Sequence, residues 1–496
     1  MNKPADLRLE TVPAWINGRA LALSGRSGEV YNPATGQVTK RVAFADAKLV
    51  DAAVKAAAAA FPAWRDTPPL RRARVMQKFL QLLQANHQQL GKIVSEEHGK
   101  TLEDAMGSVQ RGIEVVEFAC GIAQLLKGEF SENVGTQVDT HTIRQPVGVC
   151  AGITPFNFPV MVPFWFLPYA IACGNTFVLK PSERVPVSMQ RLFELFDQLG
   201  LPPGVLNLVN GGKAAVDALL DHPAVRAISF VGSTPIARYV YSRGSSSGKR
   251  VQAQGGAKNH VVVLPDADME MTAQIINDSA FGCAGQRCLA VSTAITVGQA
   301  RQTFTEAITG LARSINTNYG LEEGAQMGPV ITPESKARIE GLIAKSAGEG
   351  ATVVLDGRSA KISKYESGNF VKPTILDNVV PGGEISNTEI FGPVLSVSHA
   401  ESVEEAIKLI AQSPYGNAAS IFTTSGGAAR KFRYEASAGN IGINIGVAAP
   451  MAYFPFSGWK DSFFGVEHAQ GRDGIEFYTE KKVVIERWPK EWSRKF

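Results

Sequence analysis

Two cysteines stand five residues apart in AFGCAGQRCLA (280–290), with Arg287 directly before the second. A sulfur so placed can attack a carbonyl carbon if its pKa is lowered, if it is partly exposed, and if donors await the oxyanion its attack creates. Cys288 has a cation beside it in sequence, and Gly285 permits close backbone approach. The plain alternative is a buried filler, the usual fate of a free cysteine. Asn157 in TPFNFP offers a side-chain amide that could donate to such an oxyanion or merely brace a loop. Lys180 and Glu183 in LKPSE follow a strand-like run, where open α/β sheets place their ligand crevices. A carboxylate there can accept both hydroxyls of an adenosine ribose and repel a 2′-phosphate, whereas a solvated charge at a strand end is the bland reading of Lys180. Gly232 and Ser233 in FVGST precede a helix-like stretch whose first N–H groups would suit a pyrophosphate. No G-x-G-x-x-G accompanies them.

The motifs FGCAGQRC, TPFNFP, LKPSE, FVGST and EIFGPV occur in an order and spacing that resembles the aldehyde dehydrogenase superfamily, over nearly the whole chain from Pro146 to the tail. The resemblance implies an aldehyde dehydrogenase-like α/β fold: a Rossmann-type NAD domain, an α/β catalytic domain and a small oligomerisation strand region. It implies Cys288 as nucleophile, with Asn157 and a backbone N–H as oxyanion donors. NAD would be held by Thr154, Phe156, Lys180, Glu183, Arg184, Gly232, Ser233, Glu389 and Phe391. Without it, Glu389 reads as a carboxylate capping a turn.

One position departs from the common pattern. Where most of these enzymes carry a glutamate that activates water against the thioester, QGGAKNH (254–260) presents Gln254. An amide cannot accept a proton near neutral pH. The enzyme is then dead, or its base lies elsewhere, or the acyl group leaves to a nucleophile that needs no such base. A thiol of pKa about 8.5 fits the third case, and coenzyme A is its candidate. The missing glutamate together with GAKNH resembles the CoA-acylating methylmalonate-semialdehyde dehydrogenases. That branch implies malonate or methylmalonate semialdehyde as substrate, and a β-carboxylate to be gripped by arginine forks. Arg287 and Arg111 are the expected grips. On a helical wheel Arg111 lies opposite the apolar stripe Met106, Val109, Ile113, Val116 and Cys120, so by itself it reads as solvated. A hydrolytic dehydrogenase of another acidic semialdehyde, or a silent homologue kept for binding, are the rival readings. Cys283 is expected to be a small filler and His468 structural, with no metal site.

The elements that must position these residues are legible in outline. At 496 residues the chain exceeds the size of one core, so two or three domains are expected. The run 48–128 is helical, with Met76, Phe79, Leu80 and Leu83 forming an apolar stripe. VGVCAGI, TFVLK, VLNLVN and VRAISFVG alternate with helix-like SMQRLFELFDQLG and KAAVDALLD, the layout of a parallel sheet. HVVVLP opens a second series with TAITVG, ATVVLDG, FVKPTIL and NIGINIG, so a seam is expected near 255–258. The expected domains are 1–127 with 147–256 for NAD, 257–447 for catalysis, and 128–146 with 468–496 as bridging and oligomerisation segments. GIEFYTEKKVVIERW (474–488) reads as an exposed alternating strand that would pair with another copy, giving a homo-oligomer, dimer or tetramer.

The composition excludes other classes. A net charge of +4 is slight for this length, and the basic cluster PLRRAR lies among helix formers, which argues against nucleic acid. Five scattered cysteines without C-x-x-C spacing point to reduced thiols in a cytoplasmic protein. The start MNKPADLRLETVPAW lacks a signal-peptide core. VMVPFWFLPYAIACG (160–174) is shorter than the roughly 20 residues a bilayer needs and carries two prolines, so it is expected in the interior.

Overall fold

A computed structural model describes residues 9–22 and 25–488. The parts of the first and last expected segments at 1–8, 23–24 and 489–496 lie outside the described residues. Four helices, Ala47–Arg65, Pro69–Ala85, His87–His98 and Leu102–Ala119, follow the first strands. The first and fourth start at side chains that satisfy orphan N–H groups: Asp46 accepts from the Leu49 N–H at 2.8 Å, and Thr101 from the Asp104 N–H at 3.2 Å. Met76, Phe79 and Leu83 are buried and Leu80 half-buried.

Two large sheets, of eight and seven strands, carry most of the remaining chain among the described residues. In the first, strands Arg250–Gln254, Val225–Val231, Val149–Ile153, Thr176–Lys180 and Leu206–Leu208 run parallel in that spatial order. Antiparallel Phe463–Phe464 closes one side, and Ala14–Ile16 with Arg19–Leu21 the other. The chain enters at Val149–Ile153, builds outward through Thr176–Lys180, then crosses back to Val225–Val231. That reversal opens a crevice at the carboxyl ends of the central strands, where 154–157 and 232–234 lie.

The second sheet joins Thr374–Asp377, Val394–Ala400, Val291–Val297, Asn259–Val263, Ala418–Phe422 and Asn440–Ile443 in parallel, with Thr352–Leu355 antiparallel at one edge. The two sheets part between Gln254 and Asn259, a four-residue passage that carries Lys258.

Stretch 160–174 is buried apart from a half-buried Met161, and supplies Phe164, Phe166 and Tyr169 to the largest core. Among the described residues no helix is long and apolar enough to cross a membrane. The tail corrects one expectation: Gly471–Phe477 is a helix, and the strand spans only Thr479–Arg487. Gly474, Phe477 and Tyr478 are buried together, an i, i+3, i+4 spacing that belongs to a helix and not to alternation. Thr479–Arg487 pairs antiparallel with Val138–Pro146 over nine residues, and Phe130–Gly135 completes a third, exposed sheet.

Candidate active site

The loop before Cys288 is forced into a rare path. Cys283, Ala284 and Gly285 all have left-handed φ (51°, 52° and 68°), costly for the first two. Gly285 is glycine by necessity, because a Cβ would lie 2.0 Å from the Gly392 carbonyl oxygen. Hydrogen bonds fix this path: Gln286 Oε1 accepts from the Ile331 N–H at 3.1 Å, and the Gln286 carbonyl accepts from Asn157 Nδ2 at 3.1 Å. The Cys288 carbonyl then receives two amides, Asn259 Nδ2 at 2.9 Å and Asn417 Nδ2 at 2.8 Å. Asn259 also binds the Ala290 carbonyl and the Ala418 N–H, tying three strands of the second sheet to the loop.

Half-buried Cys288 forms part of the wall of two cavities. One, of about 910 Å³, runs along the crevice of the first sheet. Its wall holds Asn157, Thr154, Phe156, Lys180, Glu183, Arg184, Gly232, Ser233, Glu389 and Phe391. The other, of about 580 Å³, opens beside the helix Leu102–Ala119 and contains Arg111 and Arg287. Every candidate residue from the sequence therefore lines one cavity or the other.

In the larger groove Lys180 Nζ lies 3.0 Å from Glu183 Oε2. Burial raises the Glu183 carboxyl, but the Lys180 ammonium, the residue's own main-chain N–H and Arg184 together outweigh it and hold the group below the usual range. Arg184 lies 5.8 Å over the Phe156 ring, whose centroid is 5.8 Å from that of Phe391 in an edge-on contact. Ser233 caps the 13-residue helix Thr234–Ser246 without a side-chain bond of its own, leaving the first-turn N–H groups to the groove. Thr154 Oγ1 is buried with no hydrogen-bond partner. An unpartnered hydroxyl, a helix start and a carboxylate at a strand end form a donor and acceptor set that fits a dinucleotide.

The electrostatics at Cys288 depart from the sequence expectation of a lowered pKa. Burial, followed by the Glu389 carboxylate, pushes the thiol up to about 12; nearby backbone N–H groups and Arg287 only partly oppose this. Arg287 is occupied: Nη2 pairs with Asp104 and Nε lies 3.3 Å from Cys283 Sγ. Burial likewise lifts Glu389 to about 7, against the Ala257 N–H that it accepts at 2.9 Å and the cations Arg338 and Lys258.

In the smaller cavity Arg111 pairs with Glu114 at 2.9 Å and donates to the Pro450 carbonyl at 2.6 Å. The chain at 447–452 roofs the outer face of its helix, which the wheel left to solvent. Cys283 is buried, as a filler would be, and also serves as a partner of Arg287. His468 is bonded to Asp473 and to the Gly458 carbonyl.

Sequence reasoning passed over Lys100, Asp104, Asn259, Asn417 and Lys258. Lys100 is fully buried behind Asn157, its Nζ 2.7 Å from the Asn157 carbonyl oxygen and 4.0 Å from the Phe158 ring centroid. Its signal was the polar run EEHGK between two apolar-striped helices. Asp104 was hidden by its fit to an ordinary helix start, T-x-x-D.

The model of the aldehyde dehydrogenase family matches residues 22–484. The malonate-semialdehyde dehydrogenase of Pseudomonas aeruginosa is 50% identical over 479 residues, covering 96% of each chain. The acylating mitochondrial methylmalonate-semialdehyde/malonate-semialdehyde dehydrogenase of Rattus norvegicus is 45% identical, over 97% of this chain and 90% of that one. Among solved structures, the methylmalonate-semialdehyde dehydrogenase of Oceanimonas doudoroffii superposes with a TM-score of 0.96 at 48% identity, covering 98% of this chain and 100% of that one. A Sinorhizobium meliloti protein assigned the same activity, complexed with NAD, gives 0.96 at 47%, over 98% and 99% of the two chains.

Proposed function

The chain belongs to the aldehyde dehydrogenase family, and we propose that it oxidises malonate or methylmalonate semialdehyde with NAD and passes the decarboxylated acyl group to coenzyme A. The relatives' activities support the substrate and the acylating outcome. The observation that carries the reading is Gln254, a buried amide at the end of Arg250–Gln254 where the family's water-activating carboxylate would stand.

The residues act in sequence. The Cys288 thiolate forms a bond to the aldehyde carbon while the carbonyl π pair moves onto oxygen. The second Nδ2 hydrogen of Asn157, not engaged by the Gln286 carbonyl, and the Cys288 main-chain N–H meet that oxyanion. Arg111 and Arg287 bind the substrate carboxylate, setting the carbonyl against the sulfur. When bound, NAD supplies the acceptor for the hydride released as the oxyanion collapses to a thioester; Thr154, Phe156, Lys180, Glu183, Arg184, Gly232, Ser233, Glu389 and Phe391 hold it. The β-carboxylate then departs as carbon dioxide or its hydrated form, and its bonding pair delocalises into the thioester carbonyl before a proton arrives. The thiolate of coenzyme A attacks that carbonyl and expels Cys288, giving acetyl- or propionyl-CoA. Because Gln254 cannot deprotonate water, hydrolysis does not compete.

Within this reading, 1–127 and 147–256 form the NAD-binding region and 257–447 the catalytic region. Segments 128–146 and 468–496 join copies into a dimer or tetramer in the cytoplasm. NADH release is measured with malonate semialdehyde, with and without CoA. One turnover per site without CoA and continuous acetyl-CoA formation with it is the expected result. Continuous CoA-independent turnover to a free acid would establish the hydrolytic alternative.

A further inference from the structure

The guanidinium of Arg287 rests directly on Gly282. A Cβ at that position would lie 2.6 Å from both Nη1 and Nη2 and 2.7 Å from Cζ. The backbone does not ask for glycine: φ −55° and ψ 142° are open to any residue. Space alone excludes a side chain. Nor can the guanidinium easily retreat, because Nη2 pairs with Asp104, Nε reaches Cys283 Sγ at 3.3 Å and Nη1 reaches the Asp278 carbonyl at 3.4 Å. Asp104 Oδ2 also accepts the Cys283 N–H at 2.9 Å, so one carboxylate secures both the fork and the loop that carries it. Of the five N–H groups of the side chain, two remain for a ligand.

We propose that Gly282 and Asp104 form a cradle for Arg287, with Gly282 the specificity-determining position that makes room for the cation selecting acidic over neutral aldehydes. The proposal rests on the reading of Arg287 as a grip for the substrate carboxylate. Asp104 is a positioning residue. A methyl group at 282 displaces the fork from Asp104, which then presents an unpaired negative charge to an anionic substrate.

The test compares Gly282→Ala, Arg287→Ala and the double variant by NADH formation at saturating NAD and CoA, on malonate semialdehyde and on propanal. Gly282→Ala should lower kcat/KM for the acidic aldehyde roughly 10- to 100-fold, the effect of one charge-assisted hydrogen bond, mainly through KM. Propanal turnover and Tm should stay as in the parent. In the Arg287→Ala background the glycine substitution should add nothing, which is the mark of coupled residues. If Arg287→Ala keeps the preference for acid, the carboxylate reading of Arg287 falls. If Arg287→Ala loses the preference and Gly282→Ala keeps it, or if the two effects simply add, the cradle falls. Asp104→Asn retains an acceptor for the Cys283 N–H and should reduce the acid preference about tenfold; an unchanged or increased preference would overturn its part.

Discussion

Alkylation of Cys288 by iodoacetamide, followed across pH, reads the electrostatics of the site directly. With burial and Glu389 holding the thiol at about 12, roughly one molecule in 10⁴ carries a thiolate at pH 8, against about one in four for an ordinary cysteine. A more basic thiolate is intrinsically the better nucleophile, which recovers about 40-fold over that interval. The net expectation is that the protein without NAD reacts on the order of 50-fold more slowly than a free cysteine at pH 8. The rate should climb about tenfold per pH unit past pH 9 with no plateau. Since half-buried Cys120 can also react, modification is located by mass on the Cys288 peptide, with Cys288→Ala as control. Removing the second cause of the rise, by Glu389→Gln, should quicken alkylation at pH 8, and NAD, whose nicotinamide ring is cationic, should do the same. A plateau below pH 9 in the protein alone would refute the argument, because it would mean that burial does not govern this sulfur.

Three other perturbations have definite signs. Gln254→Glu places a carboxylate where the amide stands, and should raise CoA-independent turnover about tenfold or more, measured as free acid formed per NADH; no rise in a folded variant would remove Gln254 from the account. Lys258 is buried, with an Nζ that lacks a hydrogen-bond partner and an ammonium that burial pulls down to about 7. Lys258→Met should stabilise the fold by about 1–3 kcal/mol in urea denaturation below pH 7. The gain should fade as pH rises towards roughly 10.4, where the unfolded chain also loses the charge; a gain independent of pH would contradict this. Ile485, 70% exposed on the outer strand, should tolerate lysine as a monomer but not in an assembly, so Ile485→Lys should lower the mass measured by light scattering.

The parts legible in the sequence were those governed by local pattern. TFVLK is a strand with the same limits in the structure, Thr176–Lys180, because five apolar-rich residues between turn signals admit little else. Met76, Phe79 and Leu83 are buried for the same reason. Arg111 shows where pattern ends: its own helix directs it outward, and only a segment more than 330 residues away, through the Pro450 carbonyl, turns that outer face into a cavity wall. The tail erred in the opposite direction, since alternation in GIEFYTE suggested a strand while burial of Gly474 against the Tyr169 ring required a helix. Asp104 illustrates a third limit, because a residue that satisfies an ordinary local rule gives no sign of a second duty. The raised pKa of Cys288 could not be read from its sequence neighbours: Arg287 adjoins it, yet burial and the Glu389 carboxylate, distant in sequence, outweigh that cation.

The meeting of two separate cavities at one sulfur divides the molecule's evolutionary freedom. The larger crevice is walled by loops of the first sheet with Glu389, Phe391 and Tyr415 from those of the second, and the smaller chamber by one helix face, Phe158, Met161, Trp165, Cys283, residues 287–289 and the 447–452 segment. A lineage can lengthen, acidify or narrow the smaller chamber with little change to the larger, since the Cys288 carbonyl is held by Asn259 and Asn417, which line neither chamber. New appetites for aldehydes can thus be acquired one wall at a time, on an oxidising engine that stays fixed.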